Sequence, residues 1–349
     1  MSDFAARRAR LEPLLASARS LADGNTERGK KARERLINSS GLSPEGVNFA
    51  LARCLESSPS EQELEALIRA TPTAQVAHVL LSANVFVAAH RAIAIGLAAS
   101  ETVRVRASRR EPEMAELLLA GAPDAFQLVA ELSPHAGDRL WAYGSDATLD
   151  EVAVTLPPGV AFHAHGSGFG ACAIGGPIEA AELSELLTHL AEDVVLFDQR
   201  GCLSPRIVLV QGAPEYARDV ASELARALTE LQQRIPRGHL DAEEAAEITA
   251  YRDTASFSGE IFPAGLGFVS AGKDATWLMP PVGRNIHVLP TSDATKALAP
   301  WRPLITSCAF AGDPSVAETL RRSLPGARFC NFGAMQSPPF DGPVDRRDL

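Results

Sequence analysis

Basic residues are in short supply. The chain has 33 Lys and Arg against 43 Asp and Glu, a formal charge of −10. That argues against a general nucleic-acid binder, whose surface must neutralise phosphates. Cysteines are few as well. The five (Cys54, Cys172, Cys202, Cys308, Cys330) are widely spaced and form no CxxC, so neither a disulfide framework nor a structural zinc site is expected. Long apolar runs are missing. Two long stretches, 71–90 and 152–178, lack Asp, Glu, Lys and Arg. The first carries Gln75, His78, Ser82, Asn84 and His90, the second two adjacent prolines and six glycines, and neither reads as a membrane span. The opening MSDFAARRARLE lacks the apolar core of a secretory signal. A cytoplasmic location with reduced thiols is the expectation. There is no internal repeat and no low-complexity tract.

What is present is globular. The 349 residues suffice for about two domains at roughly 150 residues each. Hydrophobic residues make up 46% and charged residues 22%, which excludes global disorder. Residues 1–70 read as polar helices. Their first 40 carry nine Lys/Arg against five Asp/Glu, and a solvated basic helix is favoured over a surface that docks an acidic partner. After a Ser-Pro loop, Glu61–Ala70 shows helical spacing at Leu64, Leu67 and Ile68.

From residue 76 short apolar runs alternate with helices. Strands are expected at Val76–Leu81, Val103–Ala107, Phe126–Ala130, Leu140–Tyr143 and Val160–His165. Helices are expected at Ala88–Ala98, at Glu111–Ala120 (begun near Ser108), at Ala147–Leu156 (capped by Ser145) and at Glu179–Ala191, the last behind a Gly-rich loop. Such alternation implies an α/β fold with a parallel sheet covered on both faces. A second series follows: strand 207–210, helix 215–233, helix 241–252, strands near 267–270, 276–279, 285–289 and 304–309, and helix 316–323.

Four features could carry chemistry. The segment His165-Gly-Ser-Gly-Phe-Gly-Ala171 fits G-x-G-x-x-A, but Pro177 intervenes before the next helix, so a close-approach backbone loop is favoured over a pyrophosphate cradle. His163 and His165 share one strand face without a third ligand, so no metal site is expected. Arg104, Arg106, Arg109 and Arg110 cluster around a strand end that leads into a helix, where anions bind. Cys202 stands in FDQRGCLSP with Arg200 nearby, and a neighbouring cation lowers a thiol pKa. On local chemistry alone, a buried inert cysteine is favoured over an activated one.

Together these segments resemble one family. FDQRGCLSPR (197–206) looks like the nucleophile segment of the LuxC-type bacterial long-chain acyl-CoA reductases, in the aldehyde dehydrogenase superfamily. In order along the chain, AHVLLSANVFVAAHRAIAIGLAAS (77–100), VRVRASRREP (103–112), RLWAYGSDATLDEV (139–152), AFHAHGSGFGACAIG (161–175) and RFCNFGAMQSPPFDGPVD (328–345) resemble further family segments. The resemblance implies an aldehyde dehydrogenase-like α/β fold, with a Rossmann-like cofactor domain and an α/β catalytic domain. It divides the chain into an N-terminal helical segment (1–70), a nicotinamide-cofactor domain (71–180), a catalytic domain (181–330) and a tail (331–349).

It also implies site residues. Cys202 would be the nucleophile and Asn84 the oxyanion donor. Gly144 and Ser145 would face the cofactor. Arg106, with Ser108 beside it, would stand where the superfamily usually has a lysine on the adenosine ribose. His163 falls nearest the glutamate that hydrolytic members use to activate water. Loss of that carboxylate suits a reductase whose acyl-enzyme must survive until hydride arrives. The expected activity is NADPH-dependent reduction of a fatty acyl-CoA to an aldehyde. NADPH over NADH follows from the arginine cluster, because guanidinium forks suit a phosphate. The alternatives are reduction of an acyl phosphate or carrier-protein thioester, aldehyde oxidation, and a non-catalytic scaffold. Expected partners are acyl-CoA, an acyl-transferring or acyl-activating protein and a second copy of the chain, with no nucleic acid, membrane span or metal.

Overall fold

The protein is described from a computed structural model, which covers residues 3–274 and 276–347. The chain forms two compact units. The first contains residues 1–40, 50–167 and 339–343, and the second 41–49, 168–338 and 344–349. Residues 168–180, grouped above with the cofactor domain, therefore lie in the second unit, and the tail 331–349 is divided between the two.

The first unit begins with helices α1 (Asp3–Ala22), α2 (Glu27–Ser40), α3 (Pro44–Cys54, its start in the second unit) and α4 (Glu61–Ala70). Ser60 and Glu63 cap α4 reciprocally. There follow β1 (Val76–Leu80), α5 (Ala88–Ala99), β2 (Thr102–Arg106), α6 (Glu113–Gly121), β3 (Gln127–Leu128), β4 (Arg139–Tyr143), α7 (Asp146–Thr155) and β5 (Ala161–His165). The strands form one parallel sheet in the order β3-β2-β1-β4-β5. Ala77, Val79, Val103 and Val105 are its buried centre. On it lies α5, buried from Ala89 to Ala99. A Cβ at Gly96 would stand 2.9 Å from Val103 Cγ1, so glycine is what lets this helix approach the sheet.

The basic N-terminal helices are not simply solvated. Their arginines reach the carbonyl ends of other helices, where orphan C=O groups need donors. Arg7 donates to Ala98 O at 2.6 Å and Arg10 to Leu97 O at 2.9 Å, at the end of α5. Arg33 donates to Leu21 O and Ala22 O at the end of α1, and Arg28 to Leu117 O at 2.8 Å in the middle of α6. At the other end of the sequence, Arg91 of α5 holds Pro339 O and Gly342 O at 2.8 Å each while pairing with Glu56. Phe340 stacks on the ring of His90.

The second unit contains β6 (Phe169–Gly175), α8 (Ala180–Val195), β7 (Pro205–Gln211), α9 (Pro214–Arg234), α10 (Ala242–Ser258), β8 (Gly259–Ala264), β9 (Gly267–Gly272), β10 (Asn285–Thr291), α11 (Ala294–Leu298), β11 (Ile305–Gly312), α12 (Pro314–Ser323) and β12 (Arg328–Cys330). Its sheet runs β12-β11-β6-β7-β10-β9-β8, parallel except for the antiparallel edge pair β8/β9. Leu183, Leu187 and Leu190 of α8 and Val220, Leu224 and Leu228 of α9 bury one face. Each such side chain contributes about 2 kcal/mol. Leu298, Leu320 and Leu324 cover the other, beneath the stacked Trp277 and Trp301.

Three expectations fail here. The Gly-rich segment is a loop only to residue 168, because 169–175 is the buried strand β6. Residues 276–279 form no strand. Helix α6 starts at Glu113 rather than near Ser108, whose hydroxyl instead accepts from Arg110 N at 3.2 Å in the preceding turn.

Candidate active site

Cys202 is half-buried in the turn Gly201–Ser204, which is closed by Ser204 N donating to Gly201 O at 3.0 Å just before β7. The turn sits at the amino edge of the second sheet, and its four carbonyls all accept hydrogen bonds. Thr306 Oγ1 donates to the Cys202 carbonyl. Ser307 Oγ donates to Leu203 O at 3.1 Å and Gly170 N to Ser204 O at 2.8 Å. From the Gly-x-Met segment, Gln336 donates to Ser204 Oγ at 2.9 Å. Gly170 permits this closeness, since a Cβ there would lie 2.5 Å from both Leu203 O and Met335 Cε. The close-approach reading of that glycine is therefore the one the packing supports.

The three residues that begin FDQRGC are left-handed: Phe197, Asp198 and Gln199 have φ of 54°, 49° and 66°. None is glycine, and each non-glycine residue in this region costs about 1–2 kcal/mol. Surrounding bonds hold them there. Asp198 accepts from Arg284 Nε at 2.8 Å and from Gly238 N at 2.9 Å, and its carbonyl accepts from Gly283 N at 2.9 Å. The Gln199 amide donates to Pro205 O and Asn285 O and accepts from Asn285 N, each at 2.7 Å. Both side chains are buried.

Arg200 does not activate the thiol. Its fork lies on Glu244 at 2.7 and 2.9 Å, and it also donates to His239 O. This pairing holds the Glu244 carboxyl below its usual range. Burial pushes the Cys202 thiol up to about 11, and Asp345 pushes in the same direction. Arg347 and the peptide N–H groups of Cys202 and Leu203 oppose them. The resting thiol is thus protonated at neutral pH: burial outweighs the groups that favour thiolate, and Arg200, the cation close in sequence, is paired with Glu244. Asp345 and Arg347 form an ion pair, and Arg347 also donates to Pro303 O at 2.7 Å.

The expected cofactor residues lie in the first unit, at the carboxyl edge of its sheet. The strand order reverses between β1 and β4, and in open α/β sheets ligands bind at the crevice beyond such a reversal. Asn84 is exposed in the β1–α5 loop, and its amide makes no hydrogen bond among the described residues. Gly144 and Ser145 follow β4, and Ser145 Oγ caps α7 by accepting from Thr148 N at 3.3 Å. Arg106 closes β2, with Ser108 two residues on. Arg104, Arg106, Arg109 and Arg110 form no ion pair or side-chain hydrogen bond among the described residues; the first two are half-buried and the others exposed. The structure thus brings Asn84, Arg106, Ser108, Gly144 and Ser145 to one sheet edge, while Cys202 belongs to the other unit.

His163 stacks on Trp141 with ring centroids 4.9 Å apart, and its Nε2 faces Arg139 Nη1 at 3.2 Å. Burial, then Arg139, push its pKa down, so the ring is neutral. His165 stacks on Tyr143 in the same way. Among the described residues no group of His, Cys, Asp or Glu could hold a metal, and no helix is long and apolar enough to cross a membrane.

Sequence reasoning gave no role to Asp198, Gln199, Arg284 or Asp345. The one available signal was two polar residues, Asp198 and Gln199, standing just before a candidate nucleophile. Nothing local marks Arg284, which also has a positive φ of 71°.

A family model described as acyl-CoA reductase (LuxC) matches residues 124–345. No curated protein matches the chain. Among solved structures, similarity extends to an NAD-dependent benzaldehyde dehydrogenase from Corynebacterium glutamicum: 14% identity, 96% of this chain and 81% of that one, TM-score 0.69. An NADP-dependent glyceraldehyde-3-phosphate dehydrogenase from Bacillus halodurans, complexed with NADP, is 15% identical over 93% of this chain and 78% of its own, with TM-score 0.66. Lactaldehyde dehydrogenase from Escherichia coli is 13% identical over 94% and 78%, with TM-score 0.67. The fold is that of the aldehyde dehydrogenases.

Proposed function

The chain belongs to the acyl-CoA reductase (LuxC) family, oxidoreductases of acyl and aldehyde groups, and from that premise we propose that it reduces a fatty acyl-CoA to the aldehyde with NADPH, through an acyl-enzyme on Cys202. The observation that carries this reading is the Cys202 turn: a half-buried thiol, peptide N–H groups on its sulfur, and a backbone tied down on every side.

The chemistry of Cys202 follows. Its sulfur attacks the thioester carbonyl, and the thiol proton leaves with coenzyme A, so one thioester replaces another. A tetrahedral oxyanion forms on the way. The Cys202 and Leu203 N–H groups favour the anionic form of the attacking sulfur, and the turn that carries them is held through its carbonyls by Thr306, Ser307 and Gly170. Asn84 is proposed, from the family resemblance, to donate its unbonded amide to the same oxyanion. A neutral His163, stacked and facing Arg139, supplies no carboxylate to draw a proton from water, which favours a long-lived acyl-enzyme.

The residues at the carboxyl edge of the first sheet fit a nicotinamide dinucleotide phosphate. Arg106, Arg109 and Arg110 there, and Arg104 within β2, lack partners among the described residues. At Gly144 the nearest neighbours of an added Cβ would stand at an ordinary 3.5 Å, so internal packing does not require glycine and an approaching ligand would. Arg106, with Arg109, would hold the extra phosphate, and Gly144 and Ser145 would line the dinucleotide. When bound, this cofactor supplies the hydride that reduces the acyl carbon.

The test is incubation with a panel of acyl-CoAs, read by intact mass, free coenzyme A and aldehyde. Without cofactor, one acyl mass should appear on Cys202 with release of coenzyme A, and NADPH should convert it to aldehyde. Comparable acylation of Cys202→Ala would remove the assignment. Labelling only by an acyl phosphate or an acyl-carrier protein would change the substrate class.

A further inference from the structure

We propose that Gln199, seated by the Asp198–Arg284 pair, is a positioning residue for the nucleophile: its side-chain amide locks the left-handed run 197–199 and so fixes the entry to the Gly201–Ser204 turn that presents Cys202. The proposal rests on Cys202 being the reacting residue.

The geometry explains why an amide is needed. Strands β7 and β10 are parallel neighbours, and their pairing begins at Ile207 opposite His287. Two residues earlier in each strand stand Pro205 and Asn285. Pro205 has no N–H, so it cannot extend the ladder, and the chain before it must turn away to present Cys202. Gln199 fills the gap. Its amide donates to Asn285 O and accepts from Asn285 N, as the peptide group of a neighbouring strand would, and it also donates to Pro205 O. One side chain thus stands in for a missing backbone unit. Its own backbone is two residues from Gly201, where the nucleophile turn begins.

The remaining anchors belong to the same device. Arg206 Nη2 donates to Gln199 O at 3.2 Å. Arg284, buried, places Asp198 while its other nitrogens reach Gln232 Oε1, Ile235 O and Pro236 O. Three consecutive left-handed residues with side chains persist only where the surroundings over-determine them. Here the device ends at the sulfur. No other amino acid matches the bond set: glutamate lacks the donors, methionine lacks both roles, and asparagine is one methylene short.

The test uses the full chain with Gln199→Gly and Gln199→Met. Glycine removes the amide but also the left-handed penalty, which limits the loss of stability. Alkylation of Cys202 by iodoacetamide across pH is the first readout, because it requires no acyl donor. Acylation by acyl-CoA in a single turnover is the second. Gln199→Gly gives up three buried hydrogen bonds against relief of one left-handed penalty, so it should stay folded but melt below the wild type; its alkylation profile should move to higher pH, and acylation should fall by about 10²-fold with KM nearly unchanged. A folded Gln199→Gly or Gln199→Met protein with the wild-type alkylation profile and acylation rate would overturn the proposal. So would an equal loss in Arg28→Met when matched for melting temperature. If neither Gln199 variant folds, Arg284→Lys must shift the alkylation profile in the same direction, and an unchanged profile overturns it. Failure of wild-type protein to react with any acyl-CoA would instead sink the substrate reading, and the alkylation profiles would still decide the positioning role.

Discussion

The two sheet edges that carry the proposed site residues are built in opposite ways. At the amino edge of the second sheet, the polar groups around Cys202 are bonded to one another through Thr306, Ser307, Gly170, Gln336 and the Gln199 amide. At the carboxyl edge of the first, Asn84 is exposed and Arg106, Arg109 and Arg110 lack partners among the described residues. A reacting atom must be aimed before its substrate arrives, so its supports are satisfied internally. Groups that recognise a diffusible ligand must keep their bonding capacity open until it comes.

The largest effect should come from the open edge. Asn84→Ala should lower kcat by about 10²–10³ while nicotinamide affinity stays close to wild type. If the loss fell on cofactor affinity alone, Asn84 would join the recognition groups and the contrast would sharpen differently. Arg106→Ala, alone and with Arg109→Ala, should lower kcat/KM for NADPH by about 10–100-fold relative to NADH, the worth of one charge-assisted phosphate contact. Unchanged discrimination between the two cofactors would break that half of the comparison.

The closed edge predicts a pH dependence. With a thiol near 11, about one molecule in 10³ is thiolate at pH 8, so alkylation should rise about tenfold per pH unit from 7 to 10. Asp345 favours the neutral thiol, so Asp345→Asn should lower the thiol pKa and speed alkylation at pH 8 by about threefold. Arg347→Met should slow it. A plateau of alkylation near pH 8 in the wild type would show that the turn is more open than described. The smallest effect is a control in the first unit. Arg28→Met should cost about 1–2 kcal/mol in stability, read by denaturant melting, and leave kcat intact.

Much of this fold is legible in the chain because its signals are local. Alternating runs mark β1, β2, β4 and β7, Ser145 marks the start of α7, and Ser60 with Glu63 marks α4. What was missed depends on distance. Strand β8, GEIFPA, carries a charge and a proline that only an antiparallel edge tolerates. Strand β6 is rich in glycine because neighbouring backbones press on it, which resembles a loop until Leu203 and Met335 are in place. The partners of Arg7 and Arg28 lie 91 and 89 residues away, so composition could suggest only solvent or another protein for them. At the site, Cys202 was visible through its segment. Its raised pKa was not, because it comes from burial and from Asp345, 143 positions away, while Glu244 takes Arg200. The left-handed run was hidden because FDQ contains no glycine to announce it.

The grip of Arg91 on Pro339 and Gly342 has a consequence for biosynthesis. A ribosome makes this protein from its amino end, and the first unit needs a segment that is translated after nearly all of the second. Until that segment emerges, Arg91 and Glu56 lack two of the carbonyls that complete their buried cluster, and Phe340 is not there to cover His90. The nascent first unit must therefore wait, incomplete, while the sheet bearing Cys202 is synthesised, and a chain that stalls before residue 339 leaves both units unfinished.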